Sequence, residues 1–256
     1  MGPERGEELE LGFDAELFGR LSANFTRYWR STKDALVTKT VAPSLGVPGR
    51  AGSTTGPTQL VNIGEIRAWG TETALGLDVL RTDPLRWNLN INFTTAGNRI
   101  EDLGGAERLQ VQRGRFHVEG FPIASIVKYK VLSADFVSGD RGAVTNLMCD
   151  GGTGKSGMEQ GGSPVPCSEA PRVFYGQSEP SWILSLNSVL NVFSDWTFSA
   201  TVDAMGGHWM ASDYIYGRHN AWEVSVMAFL QDNPIGQAYN QLARTGLTNH
   251  YGVTES

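Results

Sequence analysis

Five of the seven tryptophans in this chain fall into two rows, and the rows are about one membrane thickness apart. In Leu85–Phe93, the residues Leu85, Trp87, Leu89, Ile91 and Phe93 alternate with Arg86, Asn88, Asn90 and Asn92. This is the period-2 pattern of a strand with one apolar and one polar face. Trp182–Val192 and Trp196–Ala204 repeat it around a turn at Ser194–Asp195. In each strand the tryptophan is in phase with the apolar stripe. Trp87 and Trp196 follow short turns, whereas Trp29, Trp69 and Trp182 lie about ten residues from a turn along their own strands. At ~3.3 Å per residue and a tilt of ~40°, ten residues climb roughly 25 Å. That is the height of the apolar band of an outer-membrane β-barrel, which is edged by aromatic girdles. Trp29, Trp69, Trp87, Trp182 and Trp196 are therefore candidate lipid-interface aromatics.

The expected fold is all-β: an incomplete transmembrane antiparallel β-barrel of about six spanning strands in three hairpins, with long extracellular loops. The hairpins are Glu8–Phe18 with Arg20–Ser31, Leu60–Leu80 with Leu85–Thr95, and Trp182–Phe193 with Trp196–Met205. Turns near Gly19, Asp83 and Asp195 should share one edge. The connections between hairpins are long, Lys33–Thr58 and Ala96–Pro180, and rich in Pro, Gly, Ser and Thr. Short and long connections alternate, as in barrels with tight periplasmic turns and long outer loops. A β-sandwich has no reason to segregate loop lengths this way. Residues 1–256 thus read as one partial barrel domain, 96–180 as a long extracellular loop insertion, and 207–256 as a loop region with short helices. Asn220–Leu230 and Pro234–Leu242 carry that weak helical signal, with Asp232 or Asn233 as a helix start. Within the long insertion, Ile123–Phe136 reads as a strand folded in or over the barrel mouth. Arg27 falls on the apolar phase of its strand, and either snorkels beside Trp29 or marks a bulge.

Composition narrows the function classes. No run approaches the ~18 apolar residues of a spanning helix, which leaves barrel strands open, since half their residues are polar. The net charge of −6 and the absence of a basic stripe with interleaved aromatics argue against nucleic acid. The amino terminus has no apolar segment of the secretory type, so an exported protein would carry its leader upstream.

The apparent chemistry has plain alternatives. Asp150-Gly-Gly-Thr-Gly-Lys-Ser156 resembles a phosphate-binding loop, but position 149 is Cys where the pattern needs Gly, and Gly157-Met-Glu-Gln-Gly-Gly-Ser-Pro164 cannot continue as a helix. A flexible outer loop stapled by cystine is the better reading. Cys149 and Cys167 flank it, and would pair in an oxidising compartment; the alternative is two unrelated thiols. His117, His208, His219 and His250 have no metal-ligand spacing and read as exposed loop histidines. Ser178 lacks the second glycine of a nucleophile elbow. Glu7, Glu8, Glu10, Glu101 and Asp102 read as solvated strand ends. The sequons at Asn24 and Asn92 lie mid-strand and read as chance. No catalytic residue and no cofactor or metal site is expected. The polar phase offers Asn88, Asn90, Asn92, Asn187, Asn191, Thr197, Ser199, Thr201 and Asp203 as lumen-lining residues. They could hydrogen-bond a passing sugar or peptide, or only solvate the wall and contact a plug.

Longer motifs carry a resemblance. Pro3-Glu-Arg-Gly-Glu-Glu-Leu-Glu-Leu-Gly-Phe-Asp14 resembles the "P-E-x-x-x-E-x-E-x-G-x-D" start of a late barrel hairpin in TonB-dependent outer-membrane receptors. Tyr28-Trp-Arg-Ser-Thr-Lys-Asp-Ala-Leu-Val37 follows as it does in that family. Asn62-Ile-Gly-Glu-Ile-Arg-Ala-Trp-Gly-Thr-Glu-Thr-Ala-Leu75 is similar to its "N-x-G-x-x-x-x-x-G-x-E" strand. Glu119-Gly-Phe-Pro122 and Tyr175-Gly-Gln-Ser-Glu-Pro180 resemble marks of the SusC/RagA-like branch. The order and spacing extend over most of residues 3–208. The family's plug, signal peptide and terminal aromatic residue are not seen. About six strands stand against the ~22 of such transporters, so a piece from the later barrel is expected.

The resemblance implies TonB-energised uptake of a bulky nutrient, a glycan, peptide or chelate, across the outer membrane of a Gram-negative-type bacterium. The implied partners are outer-membrane lipid, the plug and remaining barrel strands, the TonB complex, and a SusD-like surface lipoprotein. The competing reading is a soluble secreted all-β carbohydrate-binding module; a β-rich hydrolase is disfavoured by the missing catalytic motifs.

Overall fold

The computed structural model describes residues 2–40, 58–62, 64–106, 108–112, 115–193, 195–211, 234–236, 238 and 253–255. The chain begins with β1 (Arg5–Leu17), β2 (Leu21–Lys33), β3 (Leu36–Thr40), β4 (Thr58–Asn62), β5 (Glu65–Arg81) and β6 (Leu85–Asp102). Shorter strands follow: β7 (Arg108–Gln112), β8 (Arg115–Val118), β9 (Ser125–Lys128), β10 (Val131–Val137), β11 (Asp140–Asp150), β12 (Pro164–Pro166) and β13 (Val173–Gly176). The last are β14 (Trp182–Val192), β15 (Trp196–Gly206), β16 (Trp209–Ala211) and β17 (Val253–Glu255). No helix among the described residues is long and apolar enough to cross a membrane.

The chain divides into two compact units. The first comprises Met1–Val37, Leu60–Glu107 and Glu179–Gly207, and the second Thr38–Gln59, Arg108–Ser178 and His208–Ser256. The first unit is one antiparallel sheet in the order β1-β2-β5-β6-β14-β15, three hairpins laid side by side. Its edge strands are β1 and β15, so the sheet is open, as an incomplete barrel requires. The three tight turns share one edge. There Asp78 N–H donates to the Arg20 carbonyl at 2.8 Å, and Phe193 N–H to the Pro84 carbonyl at 2.7 Å. Phe18 and Gly19 carry the first turn with φ of 56° and 59°.

The second hairpin differs from expectation at one end. Leu60–Leu80 is broken into β4 and β5 at Gly64, whose φ of 109° is open only to glycine at low cost. Ile63 and Ser194 lie outside the described residues. β6 runs on to Asp102, past residue 96 where a loop was expected, because it pairs with β5 to Glu65. Of the acidic residues read as solvated strand ends, Glu101 and Asp102 are the last two of β6, whereas Glu7, Glu8 and Glu10 lie inside β1.

The first unit has a face rather than a core. Its buried apolar side chains among the described residues are Ala35, Ile100 and Leu103. Leu9, Leu11 and Phe13 are each more than half exposed, at 57%, 59% and 59%. A soluble monomer seldom leaves so continuous an apolar surface open.

The second unit holds the compact packing. β13-β9-β8-β7 form one sheet and β10-β11-β12 another. Ile123–Phe136 is two strands here, β9 and β10, which belong to different sheets. Phe116, Val118, Phe121 and Val127 pack together on one face of β8–β9, with Phe174 and Met158 against them. Val131, Ala134, Val144, Cys149, Cys167 and Ala170 form a second cluster that Ala238 joins. Helical backbone is described at 234–236 and 238, within the expected 234–242 helix, whereas Asn220–Leu230, Asp232 and Asn233 lie outside the described residues.

The glycine-rich loop after β11 is organised by its own anion. The Asp150 side chain is 1% exposed. Its carboxylate accepts N–H donations from Gly152 at 2.9 Å and from Gly161 and Gly162 at 2.8 Å. A phosphate loop would turn such donors toward a nucleotide; here an internal carboxylate takes them. The loop is therefore held rather than floppy. Burial alone would raise this carboxyl's pKa, but the three donations and the nearby Lys130 charge outweigh burial and hold it below the usual carboxylate value. The stabilisation is thus complete above the unfolded value of ~3.9, and is lost only as pH falls through the lower folded value. Asp150→Ala should weaken this loop locally by ~2–3 kcal/mol, read as faster amide exchange of residues 151–163 after correction for intrinsic rates. Wild-type protection should hold from neutral pH down to about 5. Equal exchange in both proteins would contradict this account.

Candidate functional site: the two faces of the six-stranded sheet

The strand registers place the two phases on opposite faces. Leu9, Trp29, Trp69 and Gly97 form one cross-strand row, and Phe13, Phe25, Thr73, Phe93, Leu184 and Ala204 another. Phe13 and Phe25 stack with ring centroids 5.7 Å apart. Trp87 is ten positions below Gly97 on β6, and Trp182 ten above Val192, the partner of Trp196. The expected interface tryptophans thus form two rows on one face. Trp29 and Trp69 are directly opposite each other, Trp182 is one row inward, and Trp87 and Trp196 are near the turn edge.

Two of these rings lie across glycines. A Cβ on Gly97 would sit 2.8 Å from the Trp69 ring, and one on Gly206 would sit 2.6 Å from Trp182. Each indole covers the backbone of the neighbouring strand, the aromatic–glycine pairing that pins register in designed sheets. Trp87 Nε1 donates to Ser188 Oγ at 2.9 Å, which satisfies its polar atom on an apolar face.

The opposite face is polar and cross-linked by side chains. One row runs Asp14, Asn24, Ala74, Asn92, Ser185, Asp203, and the next runs Glu16, Ser22, Gly76, Asn90, Asn187, Thr201. Asn187 Nδ2 donates to Thr201 Oγ1 at 2.9 Å, Thr197 Oγ1 to Asn191 Oδ1 at 2.8 Å, and Ser185 Oγ to Asp203 Oδ1 at 2.6 Å. Asn24 donates to Asp14, and Asn88 to Asp78. Ser199 occupies the same phase opposite Val189. All nine residues read as lumen-lining therefore share one face.

Sequence reasoning passed over Asp14, Glu16, Asn24 and Asp78 on that face, although their phase was legible. It also passed over β5, where Ala74 and Gly76 leave a trough. A cavity of about 550 Å³ lies over Ala74 and Gly76, bordered by Asp14, Asn24, Asn90 and Asn92. An adjoining one of about 360 Å³ extends it past Gly76 toward Arg20, Asp78 and Asn88.

The remaining candidates lie in the second unit. Cys149 and Cys167 are joined by a disulfide, with Cα atoms 4.8 Å apart. His117 and His208 are not the exposed loop residues expected: His208 is buried, and His117 is half-buried with its pKa lowered by burial. His117 Nδ1 accepts from the Ala124 N–H at 3.2 Å. His219 and His250 lie outside the described residues. Lys128 is buried in β9, and burial pushes its amine down to about 7. Ser178 Oγ donates to the Ala124 carbonyl and has no base beside it among its described contacts. No cluster that could hold a metal occurs among the described residues.

A six-stranded sheet with one apolar and one polar face, tight turns at one edge and long connections at the other, is wall material of a membrane β-barrel. The sequence profile of the "TonB dependent receptor-like, beta-barrel" family matches residues 2–147, and the chain belongs to that family of outer-membrane proteins of Gram-negative-type bacteria. It is 29% identical over 105 residues to "TonB-dependent receptor P26" of Formosa agariphila, a match covering 41% of this chain and 10% of that protein. Among solved structures, "Structure of the RagAB peptide transporter" aligns with a TM-score of 0.65 at 18% identity, over 83% of this chain and 22% of the other. The "open-open" state of the RagAB peptide importer aligns at 0.57, over 82% and 21%. The chain therefore spans about a fifth of the solved chains it resembles. The likeness in fold agrees with the SusC/RagA-like motifs of the sequence.

The disulfide closes a loop of 18 residues, which restricts the unfolded chain by ~3 kcal/mol in the loop-entropy model. Non-reducing digestion of the exported protein should give a linked peptide pair containing Cys149 and Cys167. Free thiols at both positions would refute the bond.

Proposed function

We propose that this chain forms part of the barrel wall of an outer-membrane receptor that takes up a bulky nutrient with energy from a TonB complex. The observation that carries this reading is the pair of faces: a continuous apolar face with tryptophan rows ten positions apart, backed by a continuous polar face. On this reading the apolar face meets lipid, with Trp29, Trp69, Trp87, Trp182 and Trp196 at its two interfaces. The polar face lines the lumen. The second unit, built largely from the long connections, is the outer-loop assembly.

The lumen reading also bears on the nutrient. The polar rows offer amides and hydroxyls already paired across strands, together with a trough at Ala74 and Gly76. Such groups exchange hydrogen bonds with peptide amides and with sugar hydroxyls at small net cost. The likeness to RagAB, a peptide transporter and importer, favours a peptide within the class of glycan, peptide or chelate. A SusD-like surface lipoprotein is the partner that this branch implies. The chain's part is structural and binding, with no enzymatic step. A soluble carbohydrate-binding module accounts poorly for Leu9, Leu11 and Phe13 standing open in one stripe.

The faces are tested by one pair of substitutions in adjacent positions. Ile91→Arg should block assembly of the receptor, since Ile91 lies between the two tryptophan rows on β6 and an arginine at mid-bilayer on the lipid face costs ~2–4 kcal/mol. Asn90→Arg should assemble normally, because its side chain stays in water. Heat-modifiable gel mobility and surface yield report the difference, and equal behaviour of the two variants would sink the assignment.

A further inference from the structure

Arg27 is a cation set into the apolar face. The register is unbroken around it, facing Leu11 on β1 and Thr71 on β5, so no bulge accounts for it. Its guanidinium lies 5.1 Å from the centroid of the Trp29 ring. Beside it Thr71 and Thr95 bring their hydroxyls within 2.6 Å of each other. Beyond the Trp29–Trp69 row, Arg67 stands directly opposite Arg99 on the neighbouring strand. Like charges placed opposite one another across strands repel. The local counter-charges are Glu65, 3.3 Å from Arg67, and Glu7, which shares the Arg67 row across Ser31. Neither Arg27 nor Arg99 has an ion pair among the described residues. Trp29 and Trp69 line a cleft of about 430 Å³ with Arg67 and Arg30 and with the carboxylates Glu7 and Glu8; by register Arg27 stands one row inward of Trp29, and Arg99 stands across from Arg67.

We propose that this cleft binds the phosphorylated headgroup of a membrane lipid at the long-connection edge of the sheet. Arginine suits phosphate oxygens through paired N–H donors, and an anion held at Arg67 opposite Arg99 relieves the repulsion of that pair, with Arg27 on the far side of the Trp29 ring. Indole rings favour the junction of headgroup and acyl chain, where one end is apolar and the other wet. The same face continues past Arg27 into Phe13, Phe25 and Phe93, which an acyl chain can follow toward the centre of the band. A free anion would gain nothing from that continuation, so the lipid is the occupant. The cations thus act as a selective seat, and Arg27 is placed to reach the headgroup by snorkelling past Trp29.

The inference rests on the reading that this face meets lipid, and one experiment separates the two. The full-length receptor containing this chain is reconstituted in phosphatidylcholine nanodiscs doped with phosphatidic acid, and bound lipids are identified by native mass spectrometry. The wild type should retain phosphatidic acid preferentially. Arginines near a charged surface contribute roughly fivefold each, so Arg27→Gln/Arg67→Gln/Arg99→Gln should lower that retention by at least about tenfold, with phosphatidylcholine unchanged. Equal retention in both proteins overturns the site while leaving the barrel reading intact. Binding of glycerol 3-phosphate as tight as that of phosphatidic acid overturns the lipid source in favour of a free-anion site. If the triple variant fails to assemble, Arg27→Gln alone and a salt titration of the wild type decide; retention insensitive to both overturns the proposal. A wild-type receptor without heat-modifiable mobility would bring down the lipid-face reading and this inference together.

Discussion

A strand that crosses hydrocarbon finds no water for its N–H and C=O groups, so each must be paired by a neighbouring strand. The first unit of this chain follows from that constraint. Five ladders join its six strands, four of them unbroken and the β5–β6 ladder shifting register near each end, and the pairing leaves only the side chains to distinguish one face from the other. Because the side-chain period is 2, a slip of one residue would exchange the faces completely. Register is therefore what the sequence must secure, and it does so with local devices. Trp69 lies over Gly97 and Trp182 over Gly206, each pair fitting only when the glycine is directly opposite. Asn187 with Thr201 and Asn191 with Thr197 match donors to acceptors across β14 and β15 on the other face.

These devices explain how much could be read from the sequence. Alternation over ten residues belongs to one strand, so Leu85–Phe93 and Trp182–Ala204 declared their faces without a partner. Trp87, Trp196 and the asparagines of β6 fell into place by phase alone. The trough did not, because it depends on which small residues of β5 face which polar ones of β2 and β6. Ala74 and Gly76 are unremarkable until Asn24 and Asn90 are seen to flank them. The break at Gly64 was hidden for a related reason: it shows only in pairing and backbone, since β4 joins β3 in a sheet of its own and Gly64 has a positive φ.

The second unit was the less legible part, since its order comes from contacts distant in sequence. β9 pairs with β13 across the intervening β10, β11 and β12. Its residues Ser125, Ile126, Val127 and Lys128 are all buried, which removes the period-2 signal that marked the spanning strands. His117 and His208 were read as exposed because a histidine in a loop-length segment usually is, and burial of a segment cannot be seen in its own composition. The glycine-rich stretch after Cys149 shows the same limit from the other side. Its glycines suggested floppiness, and then a phosphate loop, because both need backbone N–H groups left open. The acceptor that closes them, Asp150, is adjacent in sequence, but its pairing with Gly161 and Gly162 lies more than ten residues away.

The two units also solve the problem of polar groups differently. In the first unit the polar side chains lie on one face and pair with each other across strands, leaving Asp14, Glu16, Asn90 and Asn92 at an open trough where water or a solute completes their bonding. In the second, polar groups such as Asp150 are turned inward and satisfied within the chain, so that a loop of glycines keeps one shape. On the proposed reading, a wall along which a solute moves needs many weak, exchangeable contacts, and exposed amides and hydroxyls can trade a cross-strand bond for one to the solute at small net cost. On the same reading, an outer loop needs the reverse, a fixed form at low cost in mass. The asparagine rows, side chain to side chain and exposed, fit the first requirement, and the Asp150 loop, backbone N–H to a buried carboxylate, fits the second.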